Sequence, residues 1–324
     1  MTAPLYDPAR ETYDAATQAR IDALLVGVVD PHVHTGPSIA TRALDHLEYA
    51  QDASKAGFAA VVTKDHDYAG VMTAWMIHKH HPELTTKVYS SIVLNNVVGG
   101  LNPYAVEHTA AMGGKICWLP TLTAENHLRW EKKAGWVHPA TTTKIRPASA
   151  VPVTDANGAL LDATKEIIDI CARADMALAS GHLHVSETWK IFEEGKRRGL
   201  KRMIVTHPEE IVDASLNDVK GLAAMGAFIE HSVGFFLEGS KFKVAEAADL
   251  VRQIEAAGVD STILASDLGQ AGKGSFHPIE GFRRAIKICI DAGYSDEAIR
   301  KMTSTNAARA IGVEADVAAA RARA

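Results

Sequence analysis

Three cysteines in 324 residues are too few and too scattered to staple a fold. Cys117, Cys171 and Cys289 are odd in number and lie in apolar surroundings, which excludes a disulfide framework and fits small buried hydrophobes in a reducing compartment. Long apolar runs are missing as well. None approaches the roughly 20 residues a membrane span needs, and the opening "MTAPLYDPARETYDAATQAR" lacks the apolar core of a secretory signal. Positive charge is also short: 34 Lys and Arg against 39 Asp and Glu leave a net charge of -5. No basic stripe of the kind that binds a phosphate backbone is present. The expected setting is cytoplasmic, with a small molecule and neither nucleic acid nor membrane as partner. Self-association is left open.

What is plentiful is apolar residue, 47% of the chain, and histidine, 15 in all. Short aliphatic runs at 26–34, 59–66, 87–95, 115–120, 177–182, 203–207, 227–231 and 262–267 read as strands. Between them lie amphipathic stretches such as "LDATKEIIDICARAD", "SETWKIFEEGKRRG" and "PIEGFRRAIKICIDAG", several ended by a glycine suited to a helix C-cap. The strand runs are nearly all apolar instead of alternating, as parallel strands covered by helices are. Eight such repeats predict an α/β fold, a closed (β/α)₈ TIM-like barrel over residues 26–312, with an open doubly wound sheet as the competitor. Residues 1–25 and 313–324 flank it. Residues 121–160 separate the fourth strand from its helix, and a connection of that length is expected to be a lid or binding loop. An Asn-Gly pair in "AVPVTDANGALLD" predicts a hairpin at its end.

The polar residues gather at C-terminal strand ends: His32 and His34, Lys64 and His66, His182 and His184, His207, Glu230 and His231, and Asp267. In a β/α barrel that edge builds the active site. Residues i and i+2 of a strand share a face, so His32 and His34 can aim at one ion while Val33 faces the helices. Glu230 and His231 cannot both point inward. His182 and His207 would add nitrogens and Asp267 an anionic oxygen, a set that suits Zn²⁺ and also Mn²⁺, Fe²⁺ or cobalt. Water on such an ion ionises near neutral pH, and Asp267 could act as general base.

This constellation resembles the amidohydrolase superfamily of metal-dependent hydrolases. Its pattern is H-x-H on strand 1, a histidine on each of strands 5 and 6, and an aspartate on strand 8. Here it falls on "DPHVH", "ASGHLH", "IVTHPEE" and "LASDLG", and "MTSTNAARAIGV" is similar to the segment that often ends such barrels. The resemblance implies metal binding by His32, His34, His182 and His207, with Asp267 as ligand and base. The sequence departs from the pattern at strand 4, where two-metal members often end in a carboxylated lysine. Lys115 begins that strand here and no lysine ends it, so one ion or two stays open. Lys64 could substitute, as a carboxylated bridge or as a cation gripping an oxyanion.

His182 is expected to be the ligand, with His184 as its support or a substrate contact. His66 is assigned to substrate, as are Trp130 and Arg146 of the insertion; Trp136 and Arg129 share that segment, with aromatics for stacking and arginine for a carboxylate. The first functional expectation is hydrolysis of a C–N or C–O bond, in an amide, cyclic imide or lactone. The alternatives are nonoxidative decarboxylation of a small carboxylic acid and a non-catalytic barrel stabilised by its metal.

Overall fold

The computed structural model describes residues 11–134 and 144–324. Its eight strands are β1 (Val29–Val33), β2 (Ala60–Thr63), β3 (Lys87–Val93), β4 (Ile116–Trp118), β5 (Ala177–Ala179), β6 (Met203–Thr206), β7 (Phe228–Ser232) and β8 (Thr262–Ala265). They form one sheet in sequence order, and all seven neighbouring pairs are parallel. Past the ends of the ladder the backbones of the first and last strands meet: Asp267 N donates to His32 O and His34 N to Leu268 O, both at 2.8 Å. The sheet is therefore a barrel and not an open doubly wound sheet. Seven of the expected segments hold their strands, shortened where the loops leave the ladder, and β7 runs one residue past the expected 227–231, to Ser232.

Two faces of each strand feed different cores. Val29, Val62, Ile116, Trp118, Ala179, Ile204 and Ile263 fill the interior, which Ala307 and Ile311 of the helix Asn306–Ile311 seal from below. Asn306 holds that helix by donating to the carbonyls of Val259 and Thr262, both at 2.7 Å. The opposite faces, including Val33, Val61, Leu178 and Val205, pack against the surrounding helices. The flanking segments also contribute helices. Ala15–Leu25 buries Ile21, Leu24 and Leu25, and Glu314–Arg323 buries Val317 and Ala320. Among the described residues no helix is long and apolar enough to cross a membrane.

Strict alternation would turn Asp30 the same way as His32. A register shift between Asp30 and Val33 prevents this, at Pro31, which has no N–H to lose from the ladder. Asp30 turns to Tyr49 of the helix His46–Lys55, whose hydroxyl donates at 2.8 Å, and accepts from Ser266 N at 3.0 Å. His32 is left facing the barrel mouth.

The insertion opens with the helix Glu125–Ala134 and closes with the expected hairpin, a turn in which Thr154 bridges Leu160. Gly158 N donates to Asp155 O at 2.9 Å there.

Candidate metal centre

His32 Nε2, His34 Nε2 and Asp267 Oδ1 converge at the mouth. Each imidazole nitrogen is 3.0 Å from the carboxylate oxygen, and the two nitrogens are 3.3 Å apart. Donor atoms about 2.1 Å from a common centre stand about 3.0–3.4 Å from one another in octahedral or tetrahedral arrangements, so the triangle has the dimensions of one face of a coordination polyhedron. Among the described residues this trio is the group that could hold an ion through mutually close atoms.

Hydrogen-bond partners fix what those atoms carry. His34 Nδ1 lies 3.0 Å from the Lys64 carbonyl, which only accepts, so the ring proton is on Nδ1 and Nε2 is a bare lone pair. Burial holds His34 well below its ordinary pKa, and it stays neutral. Burial works against the Asp267 charge, but the attraction of His32 outweighs it and holds the carboxyl pKa down. Two acceptor-only atoms therefore face each other at 3.0 Å, an arrangement that a bound cation would relieve. On His32 the Nδ1 side meets Glu230 Oε1 at 2.7 Å, the carboxylate–histidine pairing that orients metal-ligating rings. Burial alone would lower His32, yet the Asp267 and Glu230 carboxylates raise it. The donor set fits a divalent ion.

The loop after β8 is bent to bring Asp267 there. Asp267 has φ 49°, a left-handed conformation that is uncommon outside glycine and clusters at functional sites. Its Oδ2 accepts from Ser232 Oγ at 2.8 Å. Two residues on, a Cβ at Gly269 (φ 111°) would lie 2.0 Å from His34 O, so only glycine lets the two loops pass.

His182 and His207 are buried in the same cavity with ring centres 4.9 Å apart, and the His207 ring centre is 6.2 Å from that of His32. They stand outside the close trio. His207 Nδ1 is buried with no hydrogen-bond partner among the described residues. His182 Nδ1 lies 2.8 Å from Nδ1 of His127, whose Nε2 reaches Glu131 at 3.2 Å. The carboxylate takes the His127 proton on Nε2, so His127 Nδ1 accepts from His182 and the Nε2 of His182 is a free lone pair. His127 sits in the helix Glu125–Ala134. Sequence reasoning missed it, since its i+4 pairing with Glu131 looks like ordinary helix chemistry.

Lys64 is buried against the Trp118 ring, 4.2 Å from its centre, with Nζ 3.0 Å from His32 Nε2. Burial pushes its amine down to about 8. His66 stacks on His34 at 4.8 Å between ring centres and bonds Thr121 Oγ1 at 2.9 Å. Of the β7 pair, Glu230 is the inward residue. His231 faces outward and bonds Glu209 at 2.6 Å.

The cavity beside the cluster measures about 300 Å³, and its lining includes His34, Lys64, His66, His182, His207 and Trp130. His184 is elsewhere: it caps the helix Val185–Arg197 and bonds Ser186, because the chain turns into that helix right after His182. Arg146 lines a separate cavity of about 1090 Å³ that shares Leu122 with the first. Arg129 is exposed beside Glu125, and Trp136 lies outside the described residues.

No curated protein matches the sequence. Solved structures share its fold across nearly the whole chain. An amidohydrolase from Pseudomonas aeruginosa gives a TM-score of 0.64 at 12% identity, over 93% of this chain and 98% of that one. The probable dipeptidase PvdM from the same organism gives 0.63 at 12%, over 94% and 100%. A mutant organophosphorus hydrolase from Deinococcus radiodurans gives 0.56 at 13%, over 90% and 94%. These neighbours are amidohydrolase-superfamily members. Residues 27–230, from β1 into β7, match the model of a family of unknown function, DUF6282. The chain belongs to that family, and its barrel is the fold that these solved structures share.

Proposed function

We propose that this chain is a metal-dependent hydrolase that cleaves a C–N or C–O bond of a small molecule, an amide, cyclic imide or lactone. The observation that carries this reading is the pair of acceptor-only atoms, His34 Nε2 and Asp267 Oδ1, held 3.0 Å apart in a buried mouth. His32, His34 and Asp267 would hold the ion, with His182 and His207 as further nitrogen ligands, and the His-rich set suits Zn²⁺ ahead of Mn²⁺ or Fe²⁺. When bound, the ion supplies Lewis acidity to the scissile group and makes water ionisable near neutral pH.

The chain's own groups do the rest. Asp267, ionised and pinned through Oδ2 by Ser232, takes a proton from the attacking water and returns it to the leaving group. Lys64, an amine with a pKa of about 8, faces the developing oxyanion as a donor. Glu230 and His127 fix the rings of His32 and His182. The test is elemental analysis of protein purified without added metal, then stripping, reloading with Zn²⁺, Mn²⁺ or Fe²⁺, and assay against lactones, cyclic imides and N-acyl compounds. Stoichiometric metal with metal-dependent turnover is expected. Failure to bind any of the three ions would overturn the proposal.

A further inference from the structure

Opposite chemistry to the histidine cluster lines the rest of the 300 Å³ cavity: the rings of Trp130, Phe235 and Phe242, the ammonium of Lys241 and the amide of Gln270. Lys243 is already engaged, by Glu238 at 2.5 Å and Glu246 at 2.8 Å. Lys241, at the mouth, forms no ion pair with the lining's acids, Glu210 and Asp267, or with any other carboxylate among the described residues. It is nonetheless held in place. Its Nζ donates to Ala271 O at 2.7 Å and its backbone N to Gly274 O at 2.9 Å, which ties the segment after β7 to the loop after β8. An ammonium has three donors; one is spent on Ala271 O, and the charge lies over the Phe242 ring, 4.9 Å from its centre. Beside it, Gln270 Nε2 donates to Asp267 O at 3.1 Å, which fixes the orientation of the amide, and Gln270 Oε1 is buried with no hydrogen-bond partner among the described residues. A buried acceptor of this kind calls for a donor.

We infer that the substrate is an aromatic amide bearing a carboxylate, of the N-aroyl amino acid class, with the carboxylate on Lys241, the amide N–H on Gln270 Oε1 and the ring among the three aromatics. The inference rests on the hydrolase reading above and narrows its substrate. With Lys64 on His32 and Lys243 held by Glu238 and Glu246, Lys241 is the lining ammonium left for an anion, and with no arginine in the lining it suits a carboxylate better than a phosphate, which takes several donors. The volume is at the small end of the range for ligand sites, about 300–1,000 Å³, and holds one ring with a short arm.

The probes are N-benzoylglycine, its carboxamide (N-benzoylglycinamide) and its ester analogue benzoyloxyacetate, bound to the metal-loaded protein by calorimetry. Lys241→Met should weaken N-benzoylglycine about tenfold or more and leave the carboxamide unchanged, with Lys241→Arg restoring most of the loss. Gln270→Met should weaken the amide and not the ester. Where turnover is seen, the Lys241 effect should fall on KM and spare kcat. Equal effects on charged and neutral probes, no effect on either, or no binding of N-benzoylglycine to the unaltered protein would overturn the inference. Binding through Lys241 without cleavage of any probe or screened compound would sink the hydrolase reading and leave this one standing.

Discussion

His127 and His182 meet Nδ1 to Nδ1 at 2.8 Å, a contact between a helix of the insertion and the loop just past β5. It frees the other nitrogen of His182 for the cavity. His127→Asn should therefore lower affinity for the ion about 10–100-fold, the usual cost of losing a partner that orients a ligand ring. Competition with a chromophoric chelator measures it. Unchanged affinity would mean that His182 does not coordinate.

His182 and His184 make a matched pair for substitution. His182→Asn should lose bound ion and turnover. His184→Asn should keep both, and stability should stay within about 0.5 kcal/mol, because asparagine is itself a favoured N-cap for the helix that His184 caps. Parallel metal retention in the two variants, read by elemental analysis, would remove the distinction.

Asp267→Asn should fold normally, since asparagine tolerates the left-handed backbone at this position. Turnover should fall by a factor of about 10² or more, the scale of general acid–base catalysis. Near-UV circular dichroism checks the fold and single-turnover kinetics the loss. Full activity would dismiss Asp267 as the base.

His46 sets a pH dependence of stability away from the metal centre. It is buried beside the Thr35 hydroxyl, and burial lowers its pKa from 6.5 to about 4. The unfolded chain thus binds more protons than the native one between those values, and stability falls as pH drops through that window. From pH 7 to pH 5 the contribution lost is about 2 kcal/mol. Urea unfolding should show that slope flattened in His46→Asn. Equal slopes would place its origin in other groups.

Much of this was readable in the sequence. Aliphatic runs ending in His32, His34, His182, His207 and Asp267 mark both the strands and the barrel edge, because parallel buried strands leave few polar positions and those lie where the chain emerges. What depends on approach between elements was not readable. His127 enters from a helix, Lys241 and Gln270 from two loops tied together, and nothing in their local spacing signals a shared wall. The choice of Glu230 over His231 followed from strand facing only once β7 had its register. Arg146, chosen for its charge, lines the neighbouring cavity with Lys144 and Ile145, and the part of the insertion that reaches the histidines is the helix carrying His127 and Trp130.

His32 of β1, His34 just past it and the aspartate beyond β8 lie on either side of the seam where the ring of strands joins its own beginning. An ion shared among them would work as a clasp: it would couple the earliest strand to the last, so a growing chain could not make the centre until its eighth strand had docked. Capture of the ion and completion of the circle would then be one event, and chelation would loosen the molecule first at that join.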